Sequence, residues 1–250
     1  VNTSGSPVLL NTAGANLVDR ISAVAGTGAL TFRGSRIGTL EVFDVPALAG
    51  FNGGVALTGI TGSGNINVLT ETGAARPITV TSPIVGGAGD VLIETESTAD
   101  ASPILVNGRV STTSGNITFR TNNVGSTITV SADPTLADGS DAPIFSTSGN
   151  VLLRTLGGAN MTLTDTADAT EGFVIFTGGS SSLVATGATG TINIAGDLSA
   201  TLGHTFSGGT GTTITLTGTG DRDIVANGGL TTFTRPVSYT HLTLPTNREV

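Results

Sequence analysis

Three stretches of this chain carry residues suited to chemistry. In "DPTLADGSD", Asp133, Asp138 and Asp141 sit in a loop with Pro and Gly. Carboxylates at that density suit a hard cation such as Ca²⁺, which takes about six to eight oxygen ligands. The D-x-[DN]-x-[DN]-G spacing of a calcium-binding helix-loop-helix is absent, however. In "GGAGDV" (86–91) the Asp falls one place early for the Gly-Gly-x-Gly-x-Asp calcium repeat. "DTADATEG" adds Asp165, Asp168 and Glu171. The spacing favours a solvated acidic loop over a calcium site in both places. His204, in "TLGHTF", is the one His before the last 14 residues (237–250) and reads as a turn or surface residue. With no Cys and no second base, a Ser-His-acid triad lacks support. Pieces of G-x-G type follow from 37 Gly, and none opens a helix, so phosphate binding is unsupported. No catalytic, cofactor-binding or metal-ligating residue is therefore assigned, and no cofactor is expected.

The bulk properties narrow the class of protein. All basic residues are Arg, Cys and Trp are absent, and charged residues make up 11%. The net charge of −8 excludes a nucleic-acid surface, which needs clustered cations. No apolar run approaches the roughly 20 residues of a membrane helix. The opening "VNTSGSPVLL" has neither a basic start nor a long apolar stretch, so the chain reads as an interior piece of something longer. Aromatics at 4% leave a core of Ile, Val, Leu and Ala, and abundant β-branched residues favour strands.

The elements that position these residues announce themselves by repetition. "SGNINVLTET", "AGDVLIETES", "SGNITFRT" and "SGNVLLRT" align on Gly64, Gly89, Gly115 and Gly149, spaced 25, 26 and 34 residues apart. Weaker members start at Gly28 ("GALTFRG") and Gly190 ("GTINIAG"). In each, apolar residues alternate: Ile66 and Val68, Val91 and Ile93, Ile117 and Phe119, Val151 and Leu153, Leu30 and Phe32, Ile192 and Ile194. That is the period of a half-buried strand. A second alternating run begins at Ile78, Ile104, Ile128 and Met161, and a third apolar point falls at Ile84, Val110 and Ile144. The surplus in the longest unit sits in "SADPTLADGSDA" (131–142).

A unit of about 25 residues with three short strands cannot bury its own apolar face, so it must stack on its neighbours. The expected fold is all-β: a parallel β-helix, or β-solenoid, with rungs of about 25 residues and right-handed winding. Nine or so rungs at about 4.8 Å each would give a rod on the order of 40 Å. An array of β-sandwiches would repeat at about 100 residues and carry a buried Trp and a corner Tyr, which this sequence lacks before residue 237. After each repeat glycine stands Asn65, Asp90, Asn116 or Asn150, residues that tolerate turn geometry and form ladders between rungs. The outward position further on holds Leu69, Glu94, Arg120 and Arg154. Consecutive rungs would pair Glu94 with Arg120, and would place Arg120 beside Arg154 as like charges or around a shared acid. Sequons at Asn2, Asn116 and Asn160 follow from the richness in Thr.

The repeated "SGNITFRT", "SGNVLLRT" and "AGDVLIET" units, with Thr-Gly-rich spacing and no Cys, resemble the β-helical shafts of large exported bacterial surface proteins. Filamentous-haemagglutinin-like adhesins and autotransporter passengers are the nearest types, over about Gly28 to Gly220. The resemblance implies an extracellular or cell-surface location and a structural or adhesive, non-catalytic role. It also implies contacts with glycans or proteins of host or neighbouring cells, without membrane insertion by this segment. The alternative is a carbohydrate-active β-helix, a polysaccharide lyase or hydrolase. Residues 1–236 are expected to form one solenoid fragment, truncated at both ends. The tail "VSYTHLTLPTNREV" (237–250) breaks the pattern, and its first ten residues resemble a translated transposase sequencing adapter. It is expected to have no place in the fold.

Overall fold

The computed structural model describes residues 8–10, 18–34, 38–47, 54–73, 75–131, 142–164, 173–187, 189–216, 224–225 and 231–233. The acidic residues Asp133, Asp138, Asp141, Asp165, Asp168 and Glu171 lie outside these, as do Asn2 and the tail 237–250.

The alternating runs fold into strands, and every strand pair is parallel. Three sheets result, of nine, eight and eight strands among the described residues. The chain visits the sheets in rotation, so each circuit forms one rung of a parallel β-helix. The first sheet runs through Leu30–Gly34, Ile66–Thr70, Val91–Thr95, Ile117–Val124, Val151–Leu156, Ser181–Thr186 and His204–Gly208. The second carries Leu40–Val42, Ile78–Val80, Ile104–Val106, Ile128–Val130, Met161–Thr164 and Thr191–Ala195. The third carries Ile60–Gly62, Ile84–Gly86, Val110–Thr112, Ile144–Ser146, Phe173–Thr177 and Asp197–Ala200.

Stacking in register turns the alternation of each strand into columns. Ile66 pairs with Val91, Val91 with Ile117, and Ile117 with Val151. All four are no more than 1% exposed. Matching columns run through Ile78, Ile104, Ile128 and Met161 in the second sheet and through Ile84, Val110 and Ile144 in the third. The three inner faces meet in one continuous aliphatic core. Each fully buried side chain of this size contributes about 1.5–3 kcal/mol, and no rung could realise that alone.

One assignment from the repeat needs correcting. Ile192 and Ile194 do point inward, but they pair with Met161 and Leu163 in the second sheet. The next member of the first sheet is Ser181–Thr186, followed by His204–Gly208 and the two-residue Thr232–Phe233. Its first inward residue is Ser181 rather than an aliphatic, so the alternation there is masked by a polar residue.

The corners differ in tolerance. Between the second and third sheets the strands are separated in sequence by Ser22 alone in one rung, and by longer stretches between Val42 and Ile60, Val130 and Ile144, and Thr164 and Phe173. In the Phe43–Gly59 excursion, Val45 and Leu57 close an antiparallel bridge with hydrogen bonds of 2.8 Å in both directions. The surplus of the 34-residue unit falls in sequence between Val130 and Ile144, and "DTADATEG" between Thr164 and Phe173, on rungs that pair Val130 with Leu163 and Ile144 with Ile175.

Candidate binding face

The outer face of the first sheet carries the most organised polar chemistry among the described residues. Its register is fixed by glycine. A Cβ on Gly64 would lie 2.6 Å from the Gly28 carbonyl oxygen; on Gly115, 1.9 Å from that of Gly89; on Gly149, 2.0 Å from that of Gly115. On Gly179 it would lie 2.3 Å from the Gly149 oxygen. Backbone approaches backbone so closely at this corner that no side chain fits. The repeat glycines therefore set the height of each rung against the last.

Directly after them runs a ladder of short polar side chains. The Asp90 N–H donates to Asn65 Oδ1 (3.0 Å), and the Asn116 N–H and Nδ2 both donate to Asp90 Oδ1 (2.7 and 3.1 Å). The Asn150 N–H donates to Asn116 Oδ1 (2.9 Å), and the Ser180 N–H and Oγ donate to Asn150 Oδ1 (2.9 Å each). Each side chain thus accepts the backbone N–H of the next rung at a turn, where the sheet ladder cannot. The expected ladder is present, and Ser180 extends it by one rung. A second instance links the Thr191 N–H to Asn160 Oδ1 (3.1 Å).

Beside the ladder lies a shallow groove of about 520 Å³, whose lining includes Asn67, Leu92, Thr118, Arg120 and Leu152 together with the ladder residues. On its far side Glu94 and Arg120 stand in register, as the spacing requires. Arg120 Nε and Nη2 donate to the two Glu94 carboxylate oxygens at 2.8 and 2.5 Å, a forked pair, and Asn122 Nδ2 donates to Glu94 as well. Glu94 is 4% exposed in its side chain and Arg120 37%. Arg154 is the in-register neighbour of Arg120 on the next rung. Further down the same face Arg33 pairs with Glu96.

Threonine supplies an interior counterpart that the repeat reading overlooks. Thr70, Thr95, Thr121 and Thr155 close the four strong repeat units at the same offset and on the inward side. All are buried. Thr95 Oγ1 donates to the Ser102 carbonyl (2.7 Å), Thr121 to that of Ser126 (3.0 Å) and Thr155 to that of Ala159 (3.1 Å). These three fasten the turn from the first sheet to the second, whereas the buried Thr70 Oγ1 makes no hydrogen bond. The signal was the parity: a polar residue at an inward position in every unit.

His204 is not at a turn or on the surface. It opens the strand His204–Gly208, is 1% exposed, and its Nδ1 lies 2.6 Å from Ser181 Oγ, itself 1% exposed. The His ring also stacks near Phe206 at 6.1 Å. A Ser-His contact therefore exists, sealed within the core where solvent does not reach it. No group of three or more metal-ligating side chains occurs among the described residues. Nor is any helix among them long and apolar enough to cross a membrane.

No protein family, no curated protein and no solved structure matches this chain. The architecture is that of a parallel β-helix, a scaffold compatible with a shaft and with an enzyme.

Proposed function

We propose that this chain is a shaft segment of an exported, cell-surface protein, structural or adhesive and non-catalytic, of the filamentous-haemagglutinin-like or autotransporter-passenger type. The observation that carries this reading is the unbroken inner column from Leu30 to Val151, laced on the outside by the Asn65–Ser180 ladder. The sequence is devoted to propagating one cross-section. The sequence between the second and third sheets varies in length from rung to rung while the flanking strands keep their register.

A polysaccharide-cleaving β-helix needs an acid or base free to accept or release a proton at the substrate. The carboxylates in and beside the groove serve otherwise. Asp90 Oδ1 accepts two hydrogen bonds from Asn116, and both oxygens of Glu94 are taken by Arg120. This favours a binding face over a cleaving one. The test is incubation of the chain with a panel of neutral and acidic polysaccharides, followed for both retention and chain scission. The shaft reading expects retention or no interaction, with polymer length unchanged. Shortening of any polymer that disappears in a groove variant would replace it with the enzyme reading.

A further inference from the structure

We infer that the outer face of the second sheet, over its C-terminal rungs, is a site for the surface of ice. The inference goes beyond the shaft reading and stands or falls apart from it. Thr129, Thr162, Asn193 and Thr215 stand in one outward column, in direct register over four successive rungs. Two positions earlier in each rung stand Thr127, Asn160, Thr191 and Thr213, none of them buried. Thr191 pairs with Thr213, and its N–H donates to Asn160 Oδ1. Every outward position of this block thus carries a hydroxyl or an amide. Rungs lie about 4.8 Å apart and outward neighbours on one strand about 6.6 Å apart, so these groups form a two-dimensional lattice.

Threonine is an ordinary strand former, so its abundance alone selects no ligand. Three further observations set this face apart. Its register runs without a shift, whereas the first sheet is interrupted between Arg120 and Val124 and the third between Phe173 and Ile175. Its central outward column, from Thr79 through Leu105 to Thr215, carries no charge. The first sheet instead turns Arg33, Glu94 and Arg120 outward, and the third Phe145 and Phe176. Finally, the hydroxyls of Thr127, Thr129, Thr162 and Thr215 make no hydrogen bond among the described residues. Those of Thr95, Thr121 and Thr155 are all engaged by carbonyls within the rod.

Matching in two directions at once has meaning only for a ligand that is itself periodic. The surface of hexagonal ice presents oxygens in rows whose two spacings are close to those of this block. A Thr hydroxyl both donates and accepts, as a water of the lattice does. Its methyl group fills the hollow of a water ring. A charged side chain would impose its own hydration geometry, and the block has none. Each contact is weak, but the rungs hold the groups in place, so many engage together at little ordering cost. Rods held on a crystal front force ice to grow as curved surfaces between them, which lowers the freezing point and leaves the melting point alone.

The test is thermal hysteresis and ice-crystal shaping by the full chain, with partition into slowly grown ice as a second readout. The variants are Thr162→Tyr, at the centre of the block, and Thr118→Tyr, on the outer face of the first sheet. Circular dichroism and thermal unfolding establish that each keeps the rod, and Thr162→Lys takes the place of Thr162→Tyr if the ring disrupts the fold. A gap between melting and freezing, faceted crystals and uptake into ice are the expected results for the unaltered chain. Thr162→Tyr should weaken them about tenfold or more, because one bulky side chain holds the whole lattice off the crystal, and Thr118→Tyr should not. Absence of hysteresis, shaping and uptake overturns the site. Equal loss in both variants, or full activity of Thr162→Tyr, overturns its placement on the second sheet. Binding to microcrystalline cellulose that Thr162→Tyr abolishes, without hysteresis, overturns ice as the occupant. The polysaccharide panel tests the shaft reading separately, so failure of one is distinguishable from failure of the other.

Discussion

The middle rungs and the C-terminal rungs solve the same stacking problem with different residues. From Ile66 to Val151 the first inward column of the first sheet is aliphatic, and the ladder outside it is built of Asn and Asp. Beyond it the same column continues as Ser181 and His204, joined by a 2.6 Å hydrogen bond, and the ladder gives way to Ser180. Phe206 and Phe233 then stack at 5.0 Å in the neighbouring column. The cross-section is kept while the means of filling it changes. What is invariant is the register of backbone against backbone, and the side chains are adapted to it.

The comparison can be broken most severely at the glycine corner. Replacing Gly115 by Ala should destabilise the rod by about 3–5 kcal/mol, because the new methyl meets the Gly89 carbonyl at 1.9 Å and the obstacle is backbone. Urea unfolding followed by circular dichroism measures this. Gly73, with nothing within 4 Å of an added Cβ, should cost only the strain of its positive φ, about 1–2 kcal/mol. Equal losses at both would show that the corner contact does not set the register.

Next in size is the core itself. Phe119→Ala removes a fully buried ring from the middle rungs and should cost about 3–5 kcal/mol. Ser181→Ala in the C-terminal rungs removes only the partner of His204 Nδ1 and should cost about 1 kcal/mol. Chemical denaturation of the two variants side by side tests whether the polar column is the weaker fastening.

The charged stripe falls between. Arg120→Ala leaves the largely buried Glu94 carboxylate with Asn122 as its remaining partner among the contacts described above, and should cost about 2–3 kcal/mol. Asn116→Ala removes the acceptor of the Asn150 N–H and one donor to Asp90, and should cost about 1 kcal/mol. A thermal-shift series on these two, read against wild type, orders the stripe and the ladder.

Much of this was legible before any coordinates. The spacing of Gly64, Gly89, Gly115 and Gly149 located the rungs, and through them the Glu94–Arg120 pair and the Asn65–Asn150 ladder. Alternation carries that information because inward positions of a half-buried strand must be apolar. It failed where the rule was relaxed. Ser181 broke the apolar signal of its strand, so Gly190 was aligned in place of Gly179. Thr70, Thr95, Thr121 and Thr155 are polar, so apolar alternation alone does not flag them, although their parity places them inside. His204 could not be recognised as buried because its partner lies a full rung away in sequence. The groove is a property of several rungs together, and no single repeat displays it.

The most direct test of the stack uses the natural absence of cysteine. Leu92→Cys with Thr118→Cys places two thiols at in-register outward positions on adjacent rungs, within the Cα separation a disulfide spans. Thr118→Cys with Ser182→Cys places them two rungs apart, at about twice the rung spacing. Under mild oxidation the first pair should close nearly completely within a single chain and the second should not. Closure of both to the same extent, or of neither, would contradict a rod of stacked rungs.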